Sequence, residues 1–387
     1  MTNLIIDLSN MFFRSLFITG GYGPKSFSFD SQSEIDQLMR KVSTDISYII
    51  RKTNPSRVIF AMDSTSWRKK INIEENEGYK GNREKSERLN WDNILSTLAE
   101  FGEILKESGF IVSKIDNAEA DDLISLWRDE LVFNQHQHVI IVSADEDVRQ
   151  LVLFYPYEPG KKAFSVVFNP FTYGKQRNRK LYIPKYFQSW INDEEEADIF
   201  NTRIDVDKED FIRLRDNEKV LFEEVNGDEI VLRKIFCGDD GDNIPAFYTW
   251  INDKGKEVRL TNSVYNKIKL SMNLTDVEDL NSESKLNELG SLLNKLSGTS
   301  VNFDITSRFQ RQVKLVHLQR MNFPISIVEE FDKTKDDYVA QSNIHPQNWN
   351  VNTLLEGTRY VKTPGKISSG SESSIFKEMD KINKKLF

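Results

Sequence analysis

Apolar residues cluster along this chain in near-continuous runs separated by stretches of helical pattern. Leu4-Ile5-Ile6, Val58-Ile59-Phe60-Ala61-Met62 after Arg57, and Val139-Ile140-Ile141-Val142 followed by Ser143-Ala144 are the clearest runs. Strands that are apolar on both faces belong to a parallel sheet covered by helices on both sides, so residues 1–155 are expected to form a doubly wound α/β core. Each run stops at an acid: Asp7, Asp63, and Asp145 with Asp147 two residues later. Parallel strands end along one edge, and ligands of such folds sit outside that carboxyl edge.

Residues 64–90 break the pattern. They are polar and charged and lack core periodicity, as expected of a functional excursion or a solvated loop. Between 156 and 235, Phe164-Ser165-Val166-Val167-Phe168 and Lys180-Leu181-Tyr182-Ile183-Pro184 flank a basic run at 175–180, which predicts a strand pair with a charged turn. That turn contacts duplex phosphates or is simply solvated. An acidic stretch, Asp193-Glu194-Glu195-Glu196, follows. After Pro245 a loop, Asn252-Asp253-Lys254-Gly255-Lys256, precedes a helix expected near 263–270, and apolar helical periodicity resumes at 303–333. A Ser/Gly-rich linker at 361–374 leads to Ile375, Phe376, Met379, Ile382 and Leu386, which recur at near-helical spacing among Lys377, Lys381, Lys384 and Lys385. A helix this short needs a surface to dock on, either the body of the protein or a partner's groove.

Composition adds constraints. The chain has 387 residues, one cysteine (Cys237) and a net charge of −8, so an internal disulfide is excluded. With no lengthy apolar segment, a cytoplasmic protein without membrane attachment is expected, in a bacterium or a phage-infected cell. A negative net charge argues against a global field for nucleic acid, but Arg68, Lys69, Lys70, Lys80, Arg83, Lys85 and Arg88 concentrate positive charge in one short region. Binding to phosphates should therefore be local and salt-sensitive.

Two more acidic clusters, Glu119-Ala120-Asp121-Asp122 and Gly238-Asp239-Asp240-Gly241-Asp242-Asn243, complete the candidate chemistry. Carboxylates gathered at one point repel each other and call for a cation, and oxygen ligands favour a hard divalent ion such as magnesium. Asp145 and Asp147 share a side if the chain is extended there. Glu119 and Asp121 share a side in extended chain, whereas Glu119 and Asp122 share a face in a helix; the sequence does not choose. Lys80 and Arg83 would lie on one helix face by their i,i+3 spacing. Histidine chemistry is not indicated: of four histidines, the pair His136 and His138 precedes a strand, as a surface turn would.

In order, Asp7, Asp63, the Glu119 cluster, Asp145-Glu146-Asp147 and the Gly238–Pro245 block resemble the flap endonuclease and 5′-nuclease family. Tyr79-Lys80-Gly81-Asn82-Arg83 looks like that family's Tyr-Lys-x-x-Arg element. Trp67-Arg68-Lys69 and Trp91-Asp92 are most similar to its T-even phage ribonuclease H branch. The resemblance is close over 1–155 and loose over 231–330. It implies a PIN-like flap-nuclease core with a helical arch at about 64–92, a family-atypical insertion at 156–235, and a helical duplex-binding region at 236–360. A linker and short helix occupy 361–387.

The resemblance also implies a site. Two or more Mg2+ ions, with Mn2+ able to substitute, would be held by Asp7, Asp63, Glu119, Asp121, Asp145, Asp147 and Asp242. Asp122 and Asp239 would act through water. Lys80 would polarise the scissile phosphate and Arg83 hold a neighbouring oxygen. Tyr79 would stack on an unpaired base or else be a core residue. Arg68, Lys69 and Lys70, with Lys254, Lys256 and Arg259 near a modified helix-hairpin-helix, would contact nucleic acid. The Gly-x-Gly hairpin that accompanies potassium in relatives does not directly follow Pro245, which leaves a potassium ion open.

The implied activity is metal-dependent 5′-to-3′ exonuclease and flap endonuclease cleavage of 5′ flaps and RNA primers during DNA replication. Branched DNA with a 5′ flap and RNA–DNA hybrid would be its substrates, and the enzyme would be a monomer. A sliding clamp or single-strand-binding protein is the partner expected for the last helix. The alternatives are a catalytically inactive structure-specific DNA-binding protein and a PIN-type ribonuclease.

Overall fold

The computed structural model describes residues 2–20, 27–73, 77–83, 86–159, 161–173, 178–185, 187, 213–215 and 218–341. The first elements are β1 (Thr2–Asp7), α1 (Leu8–Gly20), α2 (Gln32–Thr53), β2 (Arg57–Ala61), α3 (Trp91–Glu107), β3 (Ile111–Ser113), α4 (Ala120–Asp129) and β4 (His138–Val142). The four strands are parallel in the order β3-β2-β1-β4. Ile5 of β1 pairs in register with Ile59 of β2 and Ile141 of β4. Alternation then sends Leu4, Ile6, Phe60 and Val142 to one face and Ile5, Ile59 and Ile141 to the other. The first face is buried by α1, α2 and α3 through residues such as Phe12, Val42 and Phe101; the second packs on α4 through Leu123 and Trp127. Both faces are dry, which is why the strands read as unbroken apolar runs.

The sheet continues into the stretch expected to be an insertion. There, β5 (Leu153–Glu158), β6 (Lys161–Tyr173), β7 (Asn178–Pro184), β8 (Arg213–Arg215) and β9 (Glu218–Val225) extend it in the order β4-β6-β7-β9-β8, with β5 against β6. The expected strand pair is β6 and β7, antiparallel. Residues 175–177 of the basic run, the acidic stretch at 193–196, the linker and the terminal amphipathic helix lie outside the described residues.

A third apolar cluster forms in the C-terminal region from α5 (Gly227–Cys237), α6 (Asn262–Met272), α7 (Glu283–Ser297) and α8 (Ile305–Val316). The loop at 252–256 is the turn of a hairpin between β10 (Thr249–Ile251) and β11 (Glu257–Arg259), closed by the Asn252 side chain accepting the amides of Lys254 and Lys256. α9 (Ile325–Gln341) returns to the sheet, where Phe331 packs edge-on to Trp127 with ring centres 5.1 Å apart. Among the described residues, no helix is long and apolar enough to cross a membrane.

The excursion at 64–90 differs from the expected arch of helices. Among its described residues the one regular element is a single 3-10 turn, Trp67–Lys70, and the rest is turns. The expectation that Lys80 and Arg83 share a helix face is corrected too. Lys80 has a left-handed φ of 57°, and its amide donates to the Asp242 carbonyl at 2.8 Å, pinning the segment to the C-terminal region. Tyr79 and Ile73 bury their side chains in the third cluster and anchor it there.

Candidate active site

The carboxyl edge of the sheet gathers acids from three strand ends and one helix start. Asp7, 3 % exposed at the end of β1, accepts the Asn10 amide and the Ser143 hydroxyl, each at 2.9 Å. Asp63 follows β2 and accepts the Ala120 amide at 2.7 Å, while its own amide donates to the Ser9 hydroxyl at 3.1 Å. Asp121 sits in the first turn of α4, where the helix dipole favours negative charge. Asp145 lies just past β4; its amide donates to Ser143 and its carboxylate accepts the Asp147 amide at 2.9 Å.

These acids feel one another. Burial, then the charges of Asp63 and Asp145, push the Asp7 carboxyl up to about 8. Burial, followed by the charges of Asp145 and Asp7, holds Asp121 well above the usual carboxylate range. Among the described residues, none of these four carboxylates makes an ion pair.

The remaining acids are neutralised by the protein itself. Glu119 receives Arg68 at 2.9 Å and Lys80, and the Tyr79 hydroxyl lies 3.1 Å from Glu119 and 3.0 Å from Asp242. Burial alone would raise Glu119, but Lys80 and Arg68 outweigh it and bring the carboxyl down to about 2. Asp242 also pairs with Arg83 and stands 3.9 Å from Lys80. Lys80 and Arg83 thus converge on this edge from a turn rather than a helix. On the far side, Asp147 and Asp239 share the ammonium of Lys234. Gly238, at φ 76°, starts the loop that carries Asp239 and Asp242; a Cβ there would meet the Ile244 carbonyl at 2.4 Å, so only glycine fits.

Three expected roles are corrected by this geometry. Arg68 cannot contact nucleic acid: its side chain is 2 % exposed and fully engaged by Glu119, by Asp122 at 2.8 Å and by the Leu315 carbonyl at 3.1 Å. Asp122 cannot serve a metal through water, because Arg68, the Trp67 indole and the Glu119 amide surround its buried carboxylate. Tyr79 is a core residue and offers no ring to an unpaired base. Lys69, Lys70, Lys254 and Lys256 are exposed as a nucleic-acid surface requires. Arg259 is exposed but forked onto Asp240 at 2.8 and 3.2 Å.

Ser9, Asn10 and Ser143, which orient the acids, and Lys234, which bridges two of them, were not picked out from the sequence. The serines and asparagine are ordinary strand-end residues without local signal; Lys234 had only its place in the turn before Gly238. As arranged here, no three acidic, histidine or cysteine side chains among the described residues stand close enough to hold a metal ion. Built-in cations occupy Glu119, Asp147, Asp239 and Asp242. The Asp7, Asp63, Asp121 and Asp145 set carries excess negative charge and oxygen donors only, which suits a hard divalent cation.

The acidic carboxyl edge of the parallel sheet thus faces a helical C-terminal region through the Asp239–Asp242 loop. Residues 2–161 match the family model of the 5′-3′ exonuclease N-terminal resolvase-like domain. No curated protein matches the chain. Among solved structures, a bacteriophage T5 protein co-crystallised with metal ions is 16 % identical with a TM-score of 0.52, over 89 % of this chain and 100 % of that one. A variant of the bacteriophage T5 flap endonuclease, in a pseudo-enzyme-product complex with DNA and metal ions, is 16 % identical with a TM-score of 0.51, over 88 % and 99 %. T5 5′-exonuclease with bound zinc is 15 % identical with a TM-score of 0.50, over 89 % and 100 %. At these identities the likeness establishes a shared fold.

Proposed function

We propose that this protein is a metal-dependent 5′ nuclease of the T-even type that removes 5′ flaps and RNA primers during replication. The observation that carries the reading is the un-neutralised set of Asp7, Asp63, Asp121 and Asp145 at the carboxyl edge, with Lys80 beside it. The metal and DNA complexes of the T5 proteins that share the fold support it. Divalent ions bound there, Mg2+ or Mn2+, would supply the hydroxide and neutralise charge on the phosphate. The residues do the rest. Ser9, Asn10 and Ser143 fix the acids in place, Lys80 donates to the phosphate where charge develops, and Arg83 grips a neighbouring phosphate oxygen. Lys69, Lys70, Lys254 and Lys256 bind flanking phosphates, and the C-terminal segment recruits the replication partner.

Incubating the enzyme with an end-labelled 5′ flap and an RNA–DNA hybrid, with Mg2+, Mn2+ or chelator, tests the reading. Metal-dependent release of short 5′ fragments is expected. Cleavage that persists in chelator, or intact substrate under all conditions, overturns it.

A further inference from the structure

The two halves of the acidic edge are unequal. Among the described residues, Asp7, Asp63, Asp121 and Asp145 pair with no cation, whereas Asp147 and Asp239 are bridged by the Lys234 ammonium. Lys234 is 8 % exposed on the last turn of α5, a helix that packs directly on the short 3-10 turn Asp147–Leu151. Asp239 is further fixed by the Gly241 amide at 2.8 Å and by a backbone bridge to Ile244. The bridge is therefore held between three rigid pieces of chain. An ammonium that contacts two carboxylates fills the space and the charge requirement of a small cation, so it and a divalent ion exclude each other there.

We propose that Lys234 is a built-in cation that closes the Asp147–Asp239 pair to divalent ions. This rests on the metal-site reading above. The number of ions held by the protein is thus limited by Lys234 as well as set by the acids. Lys234 is a positioning residue in this scheme, since it acts through Asp147 and Asp239.

The test is Mn2+ binding to the full-length protein without DNA, followed by calorimetry and electron spin resonance, for wild type, Lys234→Met and Lys234→Arg. Lys234→Met keeps the length of the side chain and removes its charge, so one additional ion is expected, or the weakest site should tighten by roughly tenfold or more. Lys234→Arg should behave as wild type. Adding Asp239→Asn to Lys234→Met should abolish the gain, which separates this site from general effects on folding. A Lys234→Met isotherm that superimposes on wild type, or weakens, while Asp145→Asn still reduces binding overturns the role of Lys234 alone. Wild-type protein that binds no Mn2+ at all removes the metal site and with it both readings.

Discussion

The Arg68 guanidinium and the Asp122 carboxylate face each other at 2.8 Å with almost no exposure of either side chain. Breaking a buried pair leaves an uncompensated charge, so Arg68→Met is expected to destabilise the protein by about 3–5 kcal/mol. Lys69→Ala, one residue away and exposed, should leave stability within about 0.5 kcal/mol of wild type. It should instead weaken flap binding and reduce the salt slope by about one. Urea unfolding and a salt titration of flap affinity distinguish the two neighbours; equal stability of both variants would contradict the buried role of Arg68.

Lys80 lies between Glu119 and Asp242, and its charge pulls against the upward shift of the Asp63 and Asp121 carboxyls. Lys80→Ala is expected to lower the single-turnover cleavage rate by roughly 10²–10³-fold, the effect typical of one preorganised donor to developing charge. A variant changed only in affinity would show that Lys80 grips substrate without acting on the chemistry.

Asp145 adds to the charge that raises both Asp7 and Asp121. Asp145→Asn should abolish cleavage while flap affinity in calcium stays near wild type. Because the change relieves repulsion, it should also raise the melting temperature in chelator. Turnover close to wild type in magnesium would remove Asp145 from the site.

The Asp7 carboxyl keeps its proton up to about pH 8 in the folded protein, against 3.8 for the free group. Between those values the folded state binds more protons than the unfolded one, so stability falls as pH rises through this window when metal is absent. Metal uptake must expel the retained proton and should tighten with rising pH. Thermal melts in chelator from about pH 5 to 8 should slope downward, and saturating magnesium should flatten the slope. Asp7→Asn should reduce it, leaving the part contributed by Asp121 and Asp63. A melting temperature that rises over this range in chelator would contradict the arrangement.

The sheet was legible because burial on both faces leaves a signal in composition: Ile5, Ile59 and Ile141 are apolar together with their neighbours, so the strands and their terminal acids stand out. The β6–β7 pair was legible for the same reason. What the pattern does not carry is partnership. Arg68, Lys69 and Lys70 are alike in one-dimensional sequence, yet only Arg68 turns inward, because acids that arrive 51 and 54 residues later in the chain surround it. The Lys80 turn escaped for a related reason: the i,i+3 spacing suits a helix, but contacts to Asp242 and to the third core override local preference. Lys234 gains its role only when Asp147 is folded against it.

The bond from Arg68 to the Leu315 carbonyl spans 247 positions of the chain, and Tyr79 reaches Asp242 across 163. Chains emerge from the ribosome at about 5–20 residues per second and fold from the amino end. The sheet can therefore form early, but Tyr79, Lys80 and Arg83 gain Asp242 only after the loop from Gly238 has been synthesised, and Arg68 gains its last partner only with α8. A truncated or half-made chain carries every acid of the first domain but lacks Asp242, which holds Tyr79 and Arg83, and Leu315, which holds Arg68. Timing thus becomes part of the design: the turn that carries Lys80 and Arg83 is pinned beside the acids only once the C-terminal region exists.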